Sequence, residues 1–411
     1  CNVLSVDDSA AKQVPGVVHV KVLGPADDNE SPLPREVLWQ GELLVAVAAE
    51  TEEAAAAGVA ALKVEYEELD VFVEESNLEA AREAGRAVEG QLQVRLEEEV
   101  PDEVDDIDAW EKAEVERLLQ ESAHVVEGRY GIDAITHCCL EPHGSTVQWK
   151  GDKLDAYLST QNVSGTDDGF ADALGITADD VDVHCEYIGG GFGSKFAPDS
   201  WAFAAAEISK ETGRPVKWML TRDQELKIAG NRPSGYIDVR LGADADGVVQ
   251  VWDSVHWGTG GFKPSGVSGS VIPYTLQPPN YRRQATNIKT NLGPQRAWRA
   301  PNHPQGCAMS QTAYDDLAAQ LGADSLDIFL KNLQHISARQ SAEVYADQLQ
   351  IAAELMDWKA KWHPHGKGDR SGAVVEGLGC AIHQWGGAAN RSACQLRIHP
   401  DGGVESYCGT Q

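Results

Sequence analysis

Between residues 41 and 67 the chain changes its hydrophobic rhythm twice. Residues 41–49 are almost continuously apolar and read as a buried strand. The alanine-rich stretch that follows Thr51 reads as a helix through Leu62. Thr51 can cap it, and Glu52 and Glu53 in its first turn oppose the helix dipole. Residues 63–67 then alternate as a second strand, so residues 1–75 predict a small α/β unit. Residues 76–121 read differently. Their acidic run at 97–108 contains Pro101 and shows no sustained apolar face, which predicts an acidic, solvated linker.

From residue 122 onward short strands recur, at 154–159, 181–188, 216–220, 236–241 and 248–256. A helix capped by Asp199 or Ser200 should run to Gly213, with Pro215 just beyond it, and another should span 305–321. The expected fold class is therefore α+β, a mixed α/β chain, with a large unit over 122–340 and the start of a further one over 341–411.

The composition narrows the function. Lys plus Arg number 34 and Asp plus Glu 64, a formal net charge of −30, which repels nucleic-acid phosphates and anionic headgroups. No apolar run approaches the ~18 residues needed to span a bilayer. Eight cysteines are scattered without any C-x-x-C spacing, so reduced thiols in a cytoplasmic setting are expected, and iron–sulfur or zinc sites in this chain are not. A periplasmic location stays open. The chain opens on Cys1 inside an apparently packed segment and stops soon after a strand-like stretch, so we expect a fragment of a longer protein.

The strongest chemical signal is Ile188-Gly189-Gly190-Gly191-Phe192-Gly193-Ser194-Lys195, between a predicted strand and a predicted helix. Glycines let a ligand approach the backbone and expose successive N–H donors, which suits an anionic or oxo group. The Walker spacing is absent, and the third glycine of G-x-G-x-x-G, counted from Gly189, is replaced by Ser194. Around it stand Leu158-Ser159-Thr160-Gln161-Asn162, then 286–291, then Arg296-Ala297-Trp298-Arg299-Ala300-Pro301-Asn302-His303-Pro304-Gln305-Gly306, and a terminal Gly-Thr-Gln.

In this order and combination the chain resembles the molybdopterin-binding large subunit of the xanthine dehydrogenase and aldehyde oxidase family. Ser5-Val6-Asp7-Asp8-Ser9, Pro15-Gly16-Val17 and Val64-Glu65-Tyr66-Glu67 resemble its α/β hammerhead domain, and Leu140-Glu141-Pro142-His143-Gly144 resembles the opening of its first cofactor-binding domain. The resemblance implies a hammerhead domain over 1–75, a first molybdopterin-binding domain over 122–340 and a truncated second one over 341–411. It also implies that Gln161 lies beside the metal's apical oxo ligand, that the backbone of Gly190, Gly191, Phe192 and Gly193 faces the cofactor, and that Arg299 and Gln305 belong to the same cradle. The protein itself would supply no metal ligand.

Purine-oxidising members carry a glutamate directly after the loop lysine; here it is Phe196. Their ring-stacking phenylalanine is replaced by Pro301, and 258–276 contains no arginine. Phe196, Trp298, Pro301 and Trp385 would leave an aromatic, uncharged substrate pocket suited to an aldehyde or an apolar N-heterocycle. The implied reaction is oxidative hydroxylation with oxygen from water. Its cofactor would be molybdenum–molybdopterin, in plain or cytosine dinucleotide form, and electrons would leave through [2Fe-2S] clusters and FAD on partner subunits or segments outside the chain. The general-base glutamate would lie beyond Gln411, so no catalytic residue is assigned here. Two other classes compete. A non-catalytic or inactive relative would have no reason to keep Gln161, the glycine loop and Arg299 together. A nucleotide-binding α/β enzyme should carry an acidic ribose ligand at the end of the next strand, where 216–220 offers none. His137, Cys138, Cys139, Glu141 and His143 have ligand chemistry, but adjacent strand cysteines point opposite ways.

Overall fold

A computed structural model describes residues 1–24, 33, 35–386 and 394–408. The first unit has strands β1 (Asn2–Asp7), β2 (Val17–Val22), β3 (Val45–Ala49) and β4 (Lys63–Glu67), with α1 (Glu52–Ala60) between the last two. The Thr51 hydroxyl accepts from Ala54 N at 3.1 Å, the expected cap. β1 pairs antiparallel with β4 and with a two-residue strand at Arg35–Glu36, while β2 pairs with β3.

Residues 76–121 are not a linker. They form α2 (Leu78–Glu83), β5 (Ala87–Arg95) and α3 (Ile107–Glu121). Val115 and Leu119 of α3 are buried against Val251, and Asp106 caps the helix. The charged residues occupy the remaining faces, so composition alone concealed a narrow apolar stripe.

Further strands are β6 (His124–Ile132), β7 (Gly144–Lys150), β8 (Lys153–Leu158), β9 (Val181–His184), β10 (Val216–Met219), β11 (Gly235–Ala243), β12 (Val249–Gly258) and β13 (Asn280–Ile288). The intervening helices are α4 (Val163–Leu174), α5 (Ser200–Thr212) and α6 (Arg222–Ile228), followed by α7 (His303–Leu321), α8 (Ser325–Asn332) and α9 (Ala342–Leu355). Two sheets organise them. The five-stranded sheet has the order β5-β13-β12-β11-β6, antiparallel except between β12 and β13. Ile237, Val239 and Leu241 alternate inward from β11 onto Met309, Ala313 and Leu317 of α7 and onto α8, the main core.

The four-stranded sheet has the order β9-β8-β7-β10, with β8 and β9 parallel. Ala202, Ala205 and Ala206 of α5 pack against Val147, Leu154 and Ala156; small side chains let the helix lie close to the sheet. The helix ends at Gly213, as its sequence predicted, in left-handed conformation with φ 65°. β9 stops at His184, four residues short of the expected end, because the chain leaves the sheet there to begin the glycine loop. A hairpin of β14 (Cys394–Ile398) and β15 (Val404–Cys408) comes last, and residues 409–411, the Gly-Thr-Gln of the sequence reading, lie outside the described residues. No helix among the described residues is long and apolar enough to cross a membrane.

Candidate cofactor-binding site

The parallel pair β8 and β9 sends both of its C-terminal connections off one edge of the sheet, in register Tyr157 to His184. Ligand sites of open α/β sheets form at such edges. One connection carries Gln161 and the other carries the glycine loop, and they meet. Gln161 Oε1 accepts from Gly193 N at 2.7 Å and from Lys195 N at 3.4 Å, while Gln161 N donates to Lys195 O at 2.7 Å. A methyl group at Gly191 would collide with the Gln161 carboxamide, so only glycine permits this approach.

Phe192 stands at φ 54°, a strained conformation for a non-glycine residue, and its ring is exposed. Among the described residues, the N–H groups of Gly190, Gly191 and Phe192 donate to no protein acceptor. Successive unpaired donors of this kind are ready-made partners for an oxygen-rich ligand.

The third component is the segment before α7. Arg299 N donates to Phe192 O at 2.8 Å, and its guanidinium lies 5.3 Å over the Phe192 ring. A Cβ at Gly193 would strike the Ala297 carbonyl, so the two loops are in backbone contact. Arg296 ties the same segment to the glycine loop, donating to Ser194 O at 3.0 Å and to both carboxylate oxygens of Asp199. Gln305 is fully buried one step behind. Arg232 donates to Gln305 Oε1 at 3.2 Å and to Arg299 O at 2.8 Å, and Gln305 Nε2 donates to Pro233 O at 3.0 Å. Gln305 thus braces the cradle and does not face it.

Several residues without an assigned role hold the loop from below. Lys195 is 2% exposed, and its ammonium donates to Glu141 O at 2.9 Å and to Ser159 Oγ at 3.1 Å. Burial pushes the Glu141 carboxyl up, but the Ser159 hydroxyl, the Gly189 N–H and the Lys195 charge together hold it below its ordinary value. His143 and Glu225 form a buried pair, with Glu225 accepting from His143 N at 2.8 Å and its other oxygen 2.9 Å from Nδ1. Burial would raise the Glu225 pKa; the hydrogen bonds from the His143 ring and peptide N–H hold it below the usual carboxylate range. A lysine directly after Gly-Ser, and a histidine after Glu-Pro, were the available signals.

The four aromatic and proline positions behave differently. Trp298 is sandwiched between the His137 ring at 4.4 Å and the Arg232 guanidinium at 4.9 Å. Trp385 packs edge-on against His303 at 5.1 Å. Phe196 and Pro301 are exposed. No ring contact joins Phe196, Trp298 and Trp385 among the described residues. His137, Cys138, Cys139 and Glu141 are spent on packing and loop contacts, and no group of three or more His, Cys, Asp or Glu is placed to hold a metal among the described residues.

The sequence profile of the molybdopterin cofactor-binding domain matches residues 96–333, more than half of the chain. The chain belongs to the molybdopterin cofactor-binding domain family. It is similar to the xanthine dehydrogenase/oxidase of Gallus gallus, at 28% identity over 352 residues that cover 81% of this chain and 24% of that protein. It is also similar to the aldehyde oxidoreductase molybdenum-binding subunit PaoC of Escherichia coli K12, at 26% identity over 421 residues, covering 97% of this chain and 54% of that one. The crystal structure of the aldehyde oxidoreductase from Desulfovibrio desulfuricans shares the fold, with a TM-score of 0.73 at 20% identity over 98% of this chain and 47% of that one. The chain therefore spans about a quarter to a half of the relatives it matches. Within this molybdopterin-binding fold, the matched region contains every residue of the Gln161, glycine-loop and Arg299 cradle.

Two outcomes test the geometry. Gly191→Ala should destabilise the protein by about 1–3 kcal/mol through overpacking against Gln161, and by clearly less in a Gln161→Ala background, where the obstruction is gone; equal penalties in the two backgrounds in chemical denaturation would contradict the contact. Glu225 has a depressed pKa, so its stabilisation is complete above the unfolded carboxylate pKa of ~4.3 and is lost as pH falls through the lower folded value. Glu225→Gln cannot accept from both His143 donors, and should cost about 1–3 kcal/mol near pH 7. The gap to the parent protein should close in acid. A gap independent of pH would contradict the ionised Glu225 carboxylate.

Proposed function

We propose that this chain forms the cofactor-holding part of a molybdenum hydroxylase that oxidises an aldehyde or an apolar N-heterocycle with oxygen from water. The observation that carries the reading is the meeting of the Gln161 carboxamide with the unpaired N–H donors at 190–192. Neutral donors can hold an oxo-metal and a pterin dithiolene without competing as ligands. When bound, molybdenum–molybdopterin would supply the two-electron redox chemistry.

The chain's own residues orient and exclude. Gln161 has its Oε1 committed to the loop, which leaves its Nε2 as a donor toward the cofactor. Phe192 and Arg299 set the wall where the two loops touch. Gln305 and Arg232 fix the Arg299 carbonyl, and Lys195 fixes the loop base. Phe196, Trp298, Pro301 and Trp385 serve as the aromatic and apolar substrate side. Residues 1–75 serve as a hammerhead domain, 122–340 as the first cofactor-binding domain and 341–411 as the start of the second. Molybdopterin in plain or cytosine dinucleotide form, with [2Fe-2S] and FAD on partner subunits or on segments outside this chain, completes the proposal, in a cytoplasmic complex.

Gln161→Ala in the intact enzyme should lower turnover at least tenfold while changing the unfolding free energy by no more than about 1 kcal/mol, the net worth of an ordinary hydrogen bond. Full turnover with unchanged molybdenum loading would contradict the assignment. Phe196→Glu should shift relative rates across a substrate panel from aldehydes toward polar heterocycles, and unchanged ratios would count against a pocket role.

A further inference from the structure

The inward face of the five-stranded sheet changes character from one edge to the other. On β11 it carries Ile237, Val239 and Leu241, the main core. On β12 the same face passes through Trp252, Ser254 and His256, in register with Leu241, Val239 and Ile237. On β13 it presents Arg283 opposite Ser254, and on β5 Gln93 opposite Arg283. Where the apolar core should continue, a partly open cavity of about 270 Å³ lies instead, lined by polar side chains and by residues 266–269.

Its charge faces the Tyr281 ring, 4.7 Å from the Arg283 guanidinium, and no carboxylate. Arg283 is 7% exposed, and among the described residues it has no carboxylate partner. Its Nε donates to Gln93 Oε1 at 2.7 Å and its Nη1 to the Ile272 carbonyl, leaving Nη2 without an acceptor. Burial holds its pKa below the usual arginine value. No Asp or Glu lines the cavity, in a chain with 64 acidic against 34 basic residues. His256 is 1% exposed, and neither ring nitrogen has a hydrogen-bond partner; the Val267 carbonyl beside it raises the ring's pKa slightly but lies outside hydrogen-bond geometry. Burial and the Arg283 charge together push that pKa down to about 4. Asn287 and Ser268 add neutral polar groups to the wall.

A buried cation and an unpaired buried imidazole are each costly unless something pairs with them. The volume falls below the ~300–1,000 Å³ of pockets that take drug-sized ligands. We propose that this cavity binds a small oxyanion, with Arg283 as the charge partner and His256, Ser268 and Asn287 as hydrogen-bonding groups around it. The cavity shares no lining residue with the Gln161, Phe192 and Arg299 cradle, so the proposal does not depend on the cofactor reading.

Selenate, a tetrahedral oxyanion with an anomalous scatterer, is the probe. Crystals of the intact protein soaked in selenate should show an anomalous peak within hydrogen-bond reach of Arg283, and calorimetry with selenate should give saturable binding. Arg283→Met should weaken that binding about tenfold or more, the loss of one charge-assisted hydrogen bond, and Arg283→Lys should weaken it less. Displacement by acetate and not by phosphate marks an organic carboxylate as the natural occupant, and the reverse marks an inorganic anion. Absence of the peak, displacement by neither competitor, or wild-type affinity in Arg283→Met overturns the proposal. If Arg283→Met does not fold, His256→Asn with unchanged selenate affinity, together with an empty soak of the parent protein, overturns it equally.

Discussion

One side-chain oxygen organises the candidate site. Gln161 Oε1 accepts from two peptide N–H groups of the glycine loop, and in doing so it fixes a segment whose glycines would otherwise leave it wide conformational freedom. The contact exists because β8 and β9 are adjacent and parallel, so their two exits share an edge. It also requires Gly191, since any side chain there would occupy the space of the carboxamide. With the loop held in this way, its N–H groups at 190–192 make no hydrogen bond to the protein among the described residues.

The cost of holding such a loop is carried by buried polar pairs beneath it. Lys195 and the His143–Glu225 pair are buried and the Arg296–Asp199 ion pair is half-buried; Lys195 donates to Glu141 O and Ser159 Oγ, His143 pairs with Glu225, and Arg296 bonds Ser194 O as well as Asp199. Groups of this kind contribute little net stability compared with an apolar core, but leaving any one unpaired is expensive, so they favour a single arrangement. Positive φ at Phe192, Ala300 and Asn302 shows where the backbone is bent against its preference to complete the cradle.

Much of this was legible in the sequence. The capped helix after Thr51, the strand at 63–67 and the helix ending at Gly213 follow from local chemistry, and the convergence of Gln161 with the glycine loop from the family resemblance. What was not legible depended on tertiary context. The acidic stretch 76–121 hid an edge strand and two helices, because their buried apolar residues are few, Leu78 and Ala81 on α2 and Val115 and Leu119 on α3. Gln305 belongs to the right motif, but burial turns it into a brace for Arg299 through Arg232, a residue no local pattern singled out. The placement of Lys195 beneath the loop depended on Glu141 and Ser159 arriving from other strands.

The central claim is that Gln161 and the free N–H groups at 190–192 clasp an oxidised metal–pterin. Anomalous diffraction across the molybdenum edge, on crystals of the intact protein with its cofactor, tests it most directly. The account predicts a single molybdenum peak beside the Phe192 peptide nitrogen and the Gln161 carboxamide. A molybdenum peak elsewhere in the molecule, or full loading that leaves these donors facing only solvent, would contradict it.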